Sequence, residues 1–226
     1  MTSSGKGRPP EVKSEPIEGF ELIETGTVAI YRSLYGRIFW DLDHADRELR
    51  GESIDYANLI HAAAHLRLVI EQVTIASFVA SHKFVAQAER SVRAADNFDK
   101  ARKTLKKLNP NYWPVAFGEI TRNGATALGV QPGMGLAEEE IGRYFGTVSE
   151  VLHAQSPYVQ SRAKAGPDAH YVQYSELSEK LRSLVTSHIV QMAGAPEFLY
   201  LRRYGEDIRV QAVSTETPLL SSPKPE

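Results

Sequence analysis

The chain of 226 residues contains no cysteine, which removes disulfide frameworks, thiolate zinc sites, iron–sulfur clusters and cysteine nucleophiles together. It also lacks an excess of charge of one sign. Twenty-six Lys and Arg stand against 28 Asp and Glu, so the molecule is not a polycation built to coat nucleic acid, and any such contact has to be local. No run of roughly 18 apolar residues offers a membrane span, and the N-terminal stretch has no apolar segment of the kind a signal peptide carries. The expectation is a cytoplasmic protein with no membrane partner. Internal repeats at solenoid periods are absent as well. The glycine-bearing segment at 124–135, GATALGVQPGMG, lacks the Gly-Lys-Ser/Thr of a phosphate-binding loop and reads as a surface connection. With thiols gone, His, Arg and carboxylate lead the remaining reactive groups, and there are seven histidines.

What is present is apolar periodicity. Residues 1–17 and 214–226 mix Gly, Pro, Ser and charge and read as disordered tails around one helical domain over 18–213. Between Thr27 and Leu49, the residues Tyr31, Leu34, Ile38, Leu42, Ala45 and Leu49 fall on steps of three and four, the stripe of a helix. Gly51 ends it, and Ser53 or Asp55 can cap the next helix. That second helix is apolar nearly all round and reads as the buried centre of a bundle. A basic third helix from Phe84 to Leu108 stops at Asn109-Pro110. A fourth follows Glu138–Glu140 and runs to His153, and a fifth spans Tyr174 to Met192 on Leu177, Leu181, Leu184, His188 and Met192. The aromatic and β-branched residues at 198–213, divided by Gly205, predict a β-hairpin. The fold class expected is therefore mainly α, a bundle of about five helices with a C-terminal β-hairpin.

Four constellations carry chemistry. Counted away from the Gly51 turn, Asp41 and His44 of the first helix lie at heights that overlap those of His61 and His65 of the second. His61 and His65, four apart, have the spacing two imidazoles need to hold a metal ion, with Asp41 and His44 as further ligands. The three intervening alanines leave no general base of the zinc-hydrolase kind, and the other reading is a hydrogen-bonded His–Asp cluster. Arg67 and Glu71 place a charge pair in the apolar second helix, either to fix its register or to line a cleft with His153. Arg90, Arg93, Lys100, Lys103 and Lys107 form a basic face followed by Tyr112 and Trp113, which suits weak RNA binding or an ordinary solvated surface. Finally, Arg precedes His by a short interval twice, with six residues between Arg37 and His44 and five between Arg182 and His188. The latter histidine falls on the apolar stripe, the usual place of a core histidine.

The Arg67–Glu71 pair inside LRLVIE, the late helix YFGTVSEVLHA and the Arg-to-His intervals together resemble the HEPN superfamily of prokaryotic helical proteins. The resemblance implies a homodimer of defence or stress type. It implies an RNA-associated or protein-interaction bundle without nuclease activity, or alternatively a metal-independent ribonuclease in which Arg182 stabilises phosphate charge and His188 shuttles a proton. No cofactor is expected. A metal-binding bundle on Asp41, His44, His61 and His65 is the remaining alternative.

Overall fold

The computed structural model describes residues 21–23, 26–50, 55–81, 98–122, 125–152, 167–192 and 197–214. The two expected tails, apart from Ser214, lie outside them, as do the first part of the basic helix with Arg90 and Arg93, and His153. Five α-helices are described, α1 (Gly26–Leu49), α2 (Tyr56–Ala80), α3 (Phe98–Leu108), α4 (Ile141–Leu152) and α5 (Pro167–Thr186). They are joined by six strands, β1 (Glu21–Ile23), β2 (Val115–Arg122), β3 (Ala125–Val130), β4 (Ser187–Gln191), β5 (Glu197–Tyr204) and β6 (Asp207–Ser214). The strands form one antiparallel sheet in the order β1-β6-β5-β4-β2-β3. A mainly α bundle with an appended hairpin is thus corrected to helices packed on a six-stranded sheet.

The reason lies in two segments. SHIVQ continues the three-and-four spacing of α5, but its isoleucine and valine favour a strand, and α5 passes directly into β4 at Ser187. Period two then alternates the side chains: Val190 joins the main core with Leu199 and Leu201, while Ile189 joins Phe117, Phe198, Tyr200 and Val213 in a second apolar cluster. The segment taken as a loop around Gly124 and Gly129 holds β3, which pairs with β2 from Phe117↔Val130 to Arg122↔Ala125. β5 and β6 do occupy the predicted hairpin and turn at Gly205, whose φ of 59° suits glycine. They are flanked by β4 on one side and β1 on the other, so they form the middle of a sheet.

α1 and α2 form an antiparallel pair whose register shows in two side-chain contacts, Glu48 with Asn58 near the turn and Asp41 with His65 farther from it. Asp55 caps α2 by accepting from the Asn58 backbone N–H at 2.9 Å, while its own N–H donates to Asn58 Oδ1 at 3.2 Å. By length and composition α2 could cross a membrane, but half of that window is buried inside the protein. Nor is it buried all round, since Leu68 and Ile75 are 39% and 49% exposed. α5 runs antiparallel to α1, with Ser178 bonded to Asp46 and Arg182 to Asp43.

Candidate functional site

One face of the α1–α2 pair collects Arg37, Trp40, Asp41, His44 and Arg47 from α1 with His65 and Gln72 from α2. Positions 37, 40, 41, 44 and 47 recur at helical spacing, so a single stripe of α1 carries them all. Asp41 lies at its centre and is fully buried. Its Oδ1 accepts from His65 Nδ1 at 2.9 Å, and its Oδ2 accepts from Gln72 Nε2 at 2.6 Å and from Arg37 Nε at 3.3 Å. A buried carboxylate is tolerated only when its lone pairs are used, and here three donors from two helices use them. Gln72 leaves its own Oε1 buried without a partner, so its orientation is set by the carboxylate.

The bond to Asp41 fixes the His65 ring with Nδ1 inward and turns Nε2 away from the carboxylate. The centre of the His44 ring is 5.3 Å from that of His65. Its Nδ1 donates to the Trp40 carbonyl at 2.7 Å, and its Nε2 accepts from the Arg47 guanidinium at 2.6 Å. Trp40 is 49% exposed, with the His44 ring 3.7 Å from its own and the Arg37 guanidinium 5.3 Å away. The face therefore offers an open indole, two cations and two oriented imidazoles over one buried anion.

The four residues expected as metal ligands do not converge. His61 turns to Glu48 at 3.8 Å, His65 to Asp41, and His44 spends both nitrogens on Trp40 and Arg47. Among the described residues no group of three or more His, Asp or Glu is placed to hold a metal ion. The hydrogen-bonded His–Asp cluster is what the structure contains, for Asp41 and His65.

Arg182 and His188 are also kept apart. Arg182 reaches Asp43 at 2.8 Å and Asp46 at 2.6 Å. His188 lies fully buried on β4, where its Nε2 is 2.9 Å from the Tyr31 hydroxyl, itself 3.2 Å from that of Tyr35. Tyr31 and Asp43 are separated by twelve residues of α1, about 18 Å. The two side chains therefore cannot meet on one phosphate within a chain. Burial pushes His188 down to about 3, against a smaller upward pull from the backbone of Val185 and Leu184, so it is neutral at physiological pH.

Arg67 and Glu71 pair at 3.0 Å and are each 31% exposed, so no buried charge needs explaining. The Arg67 guanidinium lies 5.0 Å over Phe145, which stacks on Phe98. On α3, Lys103 and Lys107 face solvent, but Arg102 and Lys106 are bound to Glu138 at 2.6 Å and 2.5 Å. Trp113 is 5% exposed and donates from Nε1 to the Leu136 carbonyl at 2.8 Å, while the buried Tyr112 donates to Glu138 at 3.0 Å. Neither ring is offered to a base, which corrects the stacking role expected of Trp113.

Trp40 and Gln72 had no part in the expected site. Trp40 stands between Arg37 and His44, so the first Arg-to-His interval marked its position, whereas nothing local marks Gln72. Comparisons with protein-family models, curated proteins and solved structures find no match for this chain.

Proposed function

We propose that the α1–α2 face binds single-stranded RNA and cleaves it without a metal ion. The Arg–His pair that matters on this reading is Arg37 with His44, joined by His65. The observation that carries it is the buried Asp41, whose bond to Nδ1 holds His65 with the opposite nitrogen free and 5.3 Å, ring to ring, from a second imidazole. An oriented His–Asp pair is the means by which imidazole is held in one tautomer for proton transfer.

In this mechanism a base of the RNA stacks on Trp40, and Arg37 and Arg47 take the phosphate oxygens. His65 Nε2 accepts the proton of a ribose 2′-hydroxyl as that oxygen bonds to the adjacent phosphorus. The P–O5′ bond breaks, and the departing oxygen takes a proton from His44, which enters this step protonated, with Arg47 moved from its Nε2 to the phosphate. The products are a 2′,3′-cyclic phosphate and a free 5′-hydroxyl. His65 ends protonated and His44 neutral, so neither metal nor oxidant is required.

The test is cleavage of a fluorophore-labelled single-stranded RNA in the presence of EDTA, with product ends identified by mass spectrometry. His65→Ala and His44→Ala are each expected to lower the rate by about 10² or more, the usual worth of a positioned acid or base. Asp41→Asn should lower it through loss of ring orientation. An RNA left intact by the wild-type chain, or cut equally by the His65 variant, overturns the cleavage reading. RNA retained in a gel shift and lost with Trp40→Ala would then leave a binding face alone.

A further inference from the structure

A second site lies between the segments at 110–116 and 131–140, where a cavity of about 490 Å³ opens against α5. That volume is typical of a pocket for a small molecule. Its accessible apolar lining comes from Pro110, Pro132 and Met134, over a buried floor of Trp113, Leu136 and Leu184. The walls are fixed. Trp113 is tied to the Leu136 carbonyl at 2.8 Å. Gly135, at φ 81°, presses on α5 so closely that a Cβ would lie 2.9 Å from that of Leu184. Any other residue there would be strained in backbone and in contact, so the loop stays where it is only with glycine.

The charge of the lining is uneven, with Glu138, Glu139 and Glu140 against Lys180 alone. Two of the carboxylates are already neutralised. Glu138 accepts from Arg102, Lys106 and Tyr112, whose combined effect outweighs burial and holds it below the ordinary range. Glu140 accepts from Lys180 at 3.0 and 3.2 Å, and from Arg143 and the Ala137 N–H. Glu139 has no ion pair among the described residues and is exposed beside the apolar walls. One uncompensated carboxylate at an apolar pocket selects a ligand with one positive charge and an apolar body.

We propose that this cavity binds a small organic amine, its ring or chain against Pro110, Pro132 and Met134, above the buried Trp113, and its ammonium group at Glu139. The cavity is independent of the histidine face, and so is its test. The chain has two tryptophans, which gives a built-in control. The full-length protein is titrated with tryptamine, with tryptophol and with indole-3-acetate, which share a ring and differ in charge, while the two indole N–H resonances are followed by NMR. Trp40→Phe assigns the signals.

Tryptamine is expected to shift the Trp113 resonance saturably and leave Trp40 still, with the alcohol weaker and the acetate without effect. Glu139→Gln, a change at an exposed side chain, should weaken tryptamine about tenfold, the order expected for losing one charge-assisted contact. Equal shifts with all three compounds, no shift at Trp113 with tryptamine, or an affinity unchanged by Glu139→Gln would overturn the proposal.

Discussion

α1 sets aromatic rings beside histidine twice, once on the side that packs against the sheet and once on the side that faces water. Inward, Tyr31 and Tyr35 enclose His188 with no solvent contact. Outward, Trp40 lies against His44, with His65 beside them. The residue types are alike and the consequences differ, because the free energy of charging an imidazole is set by the water it can reach. His188 is a hydrogen-bonded piece of the core, kept neutral. The outer pair lies toward solvent, with His65 held through Nδ1 by Asp41 and His44 held through both nitrogens by Trp40 and Arg47.

The largest effect that separates the two regions is the insertion of a fixed charge. His188→Lys should cost about 3–5 kcal/mol, the range for an unpaired buried charge, and abolish or sharply lower the cooperative thermal transition seen by circular dichroism. The same replacement at His61, which is exposed, should leave the transition in place. A cooperative melt retained by the His188 variant would show that water reaches the inner cluster.

Next in size is the response to pH. His188 binds fewer protons folded than unfolded between its folded value of about 3 and the ordinary histidine value near 6.5. Stability contributed by the neutral ring is therefore present above about pH 6.5 and declines as the pH falls toward 3, by at most about 1.4 kcal/mol per unit. Urea titrations at pH 7 and pH 5 measure the slope, and His188→Gln should flatten it. An unaltered slope in that variant would place the pH dependence elsewhere.

Smaller still, Tyr31→Phe removes a hydroxyl that serves both Tyr35 and His188 and should cost about 1–2 kcal/mol in the same titration. Least of all for stability, His44→Ala should change the unfolding free energy by no more than about 0.5 kcal/mol while it removes the RNA cleavage proposed for the outer face. A His44 variant that lost stability and kept cleavage would reverse the assignment of the two regions.

The outer cluster was partly legible in the sequence because it depends on regular helix geometry. Counting at a constant rise from one turn puts Asp41, His44, His61 and His65 at overlapping heights, and height is what the counting can give. It does not give direction, so it could not tell that His61 would face Glu48 while Asp41 took Gln72. For the inner cluster the apolar stripe gave the burial of His188, but not the element that carries it. The spacing from Arg182 to His188 has helical meaning only if the helix continues, and it stops at Thr186. The sheet was the least visible part. β2 meets β4 through Val115↔Ile189 and Ala116↔His188, a pairing between residues more than seventy positions apart. Such pairing leaves no local trace beyond a short alternation, which around β3 the glycines at 124, 129, 133 and 135 made resemble a loop.

The junction at Thr186–Ser187, where α5 becomes β4 without an intervening residue, puts three sets of contacts on one segment. Lys180 and Leu184 wall the cavity, Arg182 clamps α1 through Asp43 and Asp46, and His188 anchors the inner cluster, all within nine consecutive residues. A connector would act as a hinge and let each end settle alone. Here there is none, so the seat of Leu184 against Gly135 and the seat of His188 beneath Tyr31 are set by one uninterrupted segment.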